Sequence, residues 1–299
     1  MIAKSTKEYD AFGPWIFEIN DEYTIPPLFV NDYREQDTPL MLIKIPRKID
    51  RVDATPDMNL YDYVIGAFAS YLYILKRIDD SVEEKRVPYT SVIAIKNTIS
   101  MLAGQALLYL GDEIVTIDYN SVSEPIIMKL INIIRDKYKT TEKVLNIGAI
   151  SHDLNTVEHL YSALIDHYKA QDDRIRLVAY QPPARYVPHY DGFHERIKAL
   201  MKTKKLITSI AFLTNNSELI VLQRDKRARS RKQGDLTHST LFLPFASIEK
   251  VRKTKGSQDS KNDVMSISIR GDVFSFFYSE NSLQIRDLLN ELDKLTIMF

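Results

Sequence analysis

One pattern occurs twice in this chain, and that recurrence constrains the fold more than any other feature. The first copy, Arg86 to Tyr138, reads RVPYTSVIAIK, then QALLYLGDEIVTIDYN, then IIMKLINIIRDKY. The second reads FLPFASIEKVRK, then DVMSISIRGDVFSFFYSE, then LQIRDLLNELDKL. Each has a Pro-aromatic step, a short strand, a strand pair turning at Gly-Asp, and an amphipathic helix. Pro88-Tyr89 matches Pro244-Phe245 at an offset of 156, and Gly111-Asp112 matches Gly271-Asp272 at 160. Tyr119 matches Tyr278 at 159. Ile127, Leu130, Ile131 and Ile134 fall on Ile285, Leu288, Leu289 and Leu292 at a constant 158. One offset along a whole helical stripe is stronger evidence of internal duplication than scattered identities. The competing explanation is convergence of two unrelated meander-plus-helix units.

The strand and helix assignments follow from periodicity. Val115, Ile117 and Tyr119 alternate with Thr116 and Asp118, the mark of a half-buried strand. Met265, Ile267 and Ile269 alternate in the same way with Ser266, Ser268 and Arg270. Residues 61 to 140 read as a first unit: YVIGAF and YLYILKR form a hairpin around Ala69-Ser70, and KRVPY, SVIAI, QALLYL and EIVTIDY follow. Ser121 to Glu124 has capping-box spacing, and Pro125 fits only in a first helical turn. Residues 206 to 299 read as a second unit, with LITSIAFL turning through Asn215-Asn216 into ELIVLQR. Six strands are clear there, so a seventh is short or absent.

Two segments stand outside the pattern. Residues 1 to 60 read as an irregular N-terminal extension, with WIFEI and LMLIKI as isolated strand candidates and Ile25-Pro26-Pro27 forcing an extended path. The lone Trp15 is expected to anchor this extension. Residues 141 to 205 read as a packed helical connector: a helix over Asn155 to Lys169, a strand over Ile175 to Tyr180, a rigid loop over Gln181 to Pro188, and a helix over Phe193 to Lys202.

Composition narrows the class. The chain has 299 residues, 44% hydrophobic and 27% charged, which suits two globular domains. Forty basic and forty acidic residues cancel, so only the distribution of charge can select a partner. Without cysteine there is no disulfide, thiolate metal site or cysteine nucleophile. The N-terminus has no apolar core of a signal peptide, and no window approaches the ~18 apolar residues of a spanning helix. The expectation is a cytoplasmic protein without a transmembrane segment.

A meander of six or seven antiparallel strands closed by a C-terminal amphipathic helix resembles a pleckstrin-homology-like domain, and two in tandem resemble bacterial proteins of that kind. The resemblance covers about 170 residues and rests on pattern. It implies an α+β fold of two antiparallel barrels, the helix stripe plugging the open corner between crossed sheets. Lipid-binding members of the family carry basic residues in and beside the first hairpin loop. Taken as Ala69-Ser70 and Asn215-Asn216, those loops have none.

Chemistry-bearing clusters are few. His152, Asp153, Glu158 and His159 form one group, and His189, Asp191, His194 and Glu195 another; neither has HExxH spacing. No glycine-rich phosphate loop or GxSxG elbow occurs. No catalytic residue, metal or cofactor is therefore assigned. Charge is the outstanding anomaly. From Met201 to Lys261 there are fourteen basic and five acidic residues, a local excess of nine. The densest run, KRARSRK, supplies Lys226, Arg227, Arg229, Arg231 and Lys232, and the strand after Ile248 adds Lys250 and Arg252. These seven are the candidate contacts for an acidic protein or an anionic membrane surface; otherwise the run is a solvated loop. The leading expectation is a non-enzymatic binding or scaffold protein. The alternatives are an enzyme with its site in the connector or between the units, and nucleic-acid binding through residues 226–232. The last is weakened by the absence of an aromatic residue within the run.

Overall fold

The computed structural model describes residues 6–35, 37–138, 157–185, 206–207, 209–215, 217–224, 237–255, 262–279 and 282–297. The fold is α+β, with three antiparallel sheets, a two-stranded ribbon and four helices among the described residues. None of these sheets closes into the expected barrel. Contacts divide the chain into two compact units: Met1–Val92, Ser100–Leu107 and Thr116–Tyr138 form one; Ile93–Ile99, Leu108–Val115 and Lys139–Phe299 form the other.

In chain order the first half comprises α1 (Thr6–Ala11), β1 (Phe17–Glu18), β2 (Met41–Pro46), β3 (Tyr61–Ala67), β4 (Tyr71–Ile78), β5 (Ser81–Pro88), β6 (Ala94–Ser100), β7 (Ala103–Tyr109), β8 (Ile114–Asn120) and α2 (Glu124–Tyr138). The second comprises α3 (His159–Gln171), β9 (Arg176–Gln181), the ribbon β10 (Ala184–Arg185) and β11 (Leu206–Ile207), then β12 (Ile210–Thr214), β13 (Glu218–Gln223), β14 (His238–Pro244), β15 (Lys250–Lys255), β16 (Asn262–Ile269), β17 (Asp272–Ser279) and α4 (Leu283–Ile297).

In the first unit, β1 to β5 form one antiparallel sheet in sequence order. Strands β2 to β4 read Val, Ile, Leu and Tyr without strict alternation because both faces are covered: β3 is buried at every position but Asp62. The N-terminal segment covers one face, where Phe12, Phe29 and Leu60 pack with Tyr61, Val64 and Tyr73. The residues read as an irregular extension thus supply β2 and part of a core. Trp15 does not anchor them: it is 54% exposed, while Phe12, Ile16 and Phe29 are buried. A buried ion pair also holds the segment. Lys44 Nζ lies 2.9 Å from Glu8 Oε1, donates to the Thr24 carbonyl at 3.0 Å, and sits 4.6 Å from the Tyr61 ring centroid. Alternation singled out neither partner, because Lys44 occupies a position that carries an apolar residue in a neighbouring strand.

The helix α2 buries Ile127, Leu130, Ile131 and Ile134, the stripe expected from spacing. Its entry differs from the expected capping box. Asn120, one residue earlier, accepts from the Val122 N–H at 3.2 Å, while Ser121 Oγ donates to the Met101 carbonyl. Ser121–Ser123 forms a 3-10 turn, and Glu124 and Pro125 open the α-helix, where a carboxylate and a missing N–H are both tolerated.

In the second unit, β9, β12, β13 and β14 pair consecutively, and β6 adds antiparallel to β14 with Leu241 opposite Lys96 and Phe242 opposite Ile95. The full order of that sheet is β8-β7-β6-β14-β13-β12-β9. β9 is the seventh strand missing from the sequence-based count. α3 covers the sheet: Tyr168 Oη donates to Thr240 Oγ1 at 3.1 Å, and its ring meets Phe242 edge-on at 6.0 Å. β15, β16 and β17 form a separate sheet, closed by Ile285, Leu288, Leu289 and Leu292 of α4. The expected helix over Phe193 to Lys202 lies outside the described residues.

Setting aside β1 and the β10–β11 ribbon, the same order of elements runs twice: four strands, a Pro-aromatic 3-10 turn, three strands and a helix. The backbones agree in detail. Pro88 has φ −58° and ψ 136°, Pro244 −59° and 131°; Val92 has −77° and 113°, Ile248 −77° and 116°. Tyr89 N donates to the Ser70 carbonyl and Phe245 N to that of Ser217, each in the preceding hairpin turn. Gly111 at φ +103° and Gly271 at +95° make turns that an L side chain would strain.

Candidate anion-facing strand

Of the seven candidate basic residues, Lys226, Arg227, Arg229, Arg231 and Lys232 lie outside the described residues. Lys250 and Arg252 are described, and both are exposed on β15. The local reason is periodicity: Val251 points into the core beneath α4, so Lys250, Arg252 and Thr254 take the opposite face. The sequence-based selection missed two further cations on this strand. Lys253 is 2.7 Å from the buried carboxylate of Asp263, and Lys255 is exposed at the strand end. The six residues of β15 hold four basic side chains and no acidic one. Counting charge strand by strand would have found them.

The neighbouring surface is polar and uncharged near the cations. Arg252 is opposite Ser266, and Lys250 opposite Ser268. Ser266 and Ser275 hydroxyls are 3.1 Å apart across β16 and β17. Beyond them, Val273 and Phe277 are exposed. Asp263, 5% exposed, also acts on Tyr278, whose phenol is pushed up to about 12 by burial first and by that nearby carboxylate second. Asp263 is thus committed between Lys253 and the core.

In the repeated four-strand order β2 precedes β3 and β9 precedes β12, so the turn at Ala69-Ser70 and the one after Thr214 join the second and third strands and are not the first connections. The connection from β2 to β3, the first of the repeated order in the N-terminal half, is 47–60, and it does carry Arg47, Lys48 and Arg51. Asp50, Asp53 and Asp57 balance them, three against three. Arg47 Nη1 donates to the Asn59 carbonyl at 3.2 Å, and Arg51 lies 3.9 Å over the Tyr9 ring. That loop has no net charge to draw an anion.

The histidine groups do not assemble among the described residues. His152, Asp153, His189, Asp191, His194 and Glu195 lie outside them, and no described cluster has metal-binding composition. Glu158 is engaged otherwise: its carboxylate accepts from Ser209 Oγ and lies 4.0 Å from Arg224, and its N–H donates to Tyr180 Oη at 3.2 Å. A second polar group gathers at the β12–β13 turn, where Asn215 Nδ2 donates to Glu218 Oε1 at 3.0 Å and to Asp172 Oδ2 at 3.2 Å. Both tie α3 and its flanks to the sheet. No described helix is long and apolar enough to cross a membrane. No protein-family model matches the chain, and no curated protein matches its sequence.

Proposed function

We propose that this chain is a non-enzymatic binding or scaffold protein made of two pleckstrin-homology-like modules, the second of which engages an acidic partner. The single observation that carries the reading is β15: Lys250 and Arg252 project from one exposed face of a strand with four basic residues and no acidic one. The doubled order of four strands, turn, three strands and helix supports the modular part. Exposed single charges bind weakly, so the cluster is what matters.

The test is binding of the full chain to phosphatidylserine vesicles, polyglutamate and RNA oligonucleotides across a salt series. Binding to polyglutamate is expected at low salt and weakens as screening shortens. Replacing Arg227, Arg229, Arg231, Lys250 and Arg252 together by Gln reduces it and leaves the melting temperature unchanged. Failure of the parent to bind any polyanion at low salt refutes the reading; preferential RNA binding replaces it with a nucleic-acid function.

A further inference from the structure

We infer that the β6–β7 hairpin tip of the first unit, with Trp15 beside it, inserts into the interface of a zwitterionic lipid bilayer. This stands independently of the acidic partner proposed for β15.

Met101 and Leu102 form the tip and are 75% and 65% exposed. Val122 and Trp15, in the same unit, are 48% and 54% exposed. Hydrogen bonds draw their segments together. Ser121 N donates to the Leu102 carbonyl at 3.0 Å, and Ser121 Oγ to the Met101 carbonyl at 2.6 Å. Ile16 N donates to Ser123 Oγ at 2.8 Å, and Ser123 Oγ to the Pro14 carbonyl at 3.4 Å. The segments 11–17, 100–107 and 119–123 contain no Asp, Glu, Lys or Arg, in a chain where 27% of residues are charged. Folding does not require apolar residues at this tip. Met101 has φ +55°, a conformation that glycine or asparagine adopts at lower cost. Other hairpin tips are polar: Asp79-Asp80, Gly111-Asp112 and Arg270-Gly271. The equivalent connection in the second copy, between β15 and β16, reads GSQDSK. A polar loop thus serves where the first copy exposes Met-Leu.

Area, backbone and charge select lipid as the occupant. At these exposures the four side chains offer about 500 Å², short of the roughly 800 Å² per partner of a stable protein interface. A two-residue turn this exposed is convex and gives a protein no groove, whereas a bilayer yields around it. Insertion also demands that backbone polar groups be satisfied within the protein, and both tip carbonyls already accept from Ser121. The charges that bound the segments 11–17 and 119–123 are all acidic: Asp10, Glu18, Asp118 and Glu124. Glu18 lies 3.3 Å from Lys129, and Asp118 accepts from Gln105 Nε2 at 2.8 Å. This rim gives an anionic membrane no attraction, and a zwitterionic one imposes no repulsion. Tryptophan favours the headgroup level of a bilayer, while leucine and methionine reach the acyl boundary.

The experiment uses the full chain with phosphatidylcholine vesicles and with vesicles containing phosphatidylserine. Trp15 is the sole tryptophan, so its emission reports on the site directly. Phosphatidylcholine vesicles should shift that emission to the blue, the shift should survive high salt, and quenchers on the acyl chains should reach the indole. Met101→Ser with Leu102→Ser should weaken vesicle binding about tenfold or more, the effect of withdrawing apolar side chains of this size from burial. The melting temperature should not move, because both side chains are exposed in the free protein. Lys250→Glu with Arg252→Glu should leave the binding intact, which separates the tip from β15. No blue shift with phosphatidylcholine vesicles overturns the insertion. Binding that requires phosphatidylserine and disappears at high salt does so too. Self-association that the double serine variant abolishes would install a second copy instead, and likewise overturns the proposal. Binding to polyglutamate is a separate measurement and decides only the reading of β15.

Discussion

Removing Glu8 should harm the first unit more than removing the lysine it neutralises. Lys44 is a β2 residue whose side chain is 2% accessible, and Glu8 on α1 is 22% accessible. Glu8→Ala leaves a buried ammonium with the Thr24 carbonyl and the Tyr61 ring as its remaining contacts. Breaking a buried pair this way costs about 3–5 kcal/mol. Because Glu8 is at the edge of the buried zone, water enters behind it, and a value of about 2–3 kcal/mol is expected. At about 2–4 °C per kcal/mol, the melting temperature falls by roughly 4–12 °C. Lys44→Met keeps the volume and removes the charge, and the freed carboxylate can hydrate. Its cost should be within about 1 kcal/mol of zero. Urea and thermal melts followed by near-UV circular dichroism, with Trp15 fluorescence as a local probe, measure both. If Lys44→Met proves as damaging as Glu8→Ala, the pair itself stabilises the fold and the desolvation argument is wrong. A neutral Glu8→Ala would equally deny that Glu8 is the partner.

Two other outcomes test the fold. Ile131→Asp and Leu289→Asp each place a charge among buried helix contacts and should cost several kcal/mol, read as lost or strongly lowered melting transitions; unaltered melts would contradict the packing of α2 or α4. Asp172 titrates below its ordinary value of 3.8: burial raises it, but hydrogen bonds from the Arg174 side chain and backbone and from Asn215 together outweigh that. A depressed folded value means that this stabilisation is full above about pH 4 and disappears as pH falls through the folded value. Asp172→Asn should flatten that part of the acid-stability profile, and an unchanged profile would rule out the contribution.

Much of the local structure was written in the residues. Alternation in Val115–Tyr119 and Met265–Ile269 specified half-buried strands, and the stripes at Ile127 and Ile285 specified helices with one covered face. Glycine at 111 and 271 marked turns because positive φ is cheap only without a Cβ. The charge on β15 was visible as composition and became a surface through the burial of Val251. Local pattern named LMLIKI and Ile175 to Tyr180 as strands but could not assign either to its sheet. β2 lies after a proline-broken segment and β9 after a helix, and each is recruited by pairing with a strand distant in sequence. The missing alternation in β3 and β13 arises because α1 and its following segment, or α3, covers the second face. The charged β5 is blunted as an edge by Glu83, Glu84, Lys85 and Arg86, whereas β14 has no Asp, Glu, Lys or Arg and takes β6 as a neighbour. The sequence by itself determined which segments became strands and helices, because side-chain periodicity is a short-range property. Only the tertiary structure decided which edges are paired and which faces are covered, because those depend on backbone partners and apolar surfaces that meet across long stretches of chain.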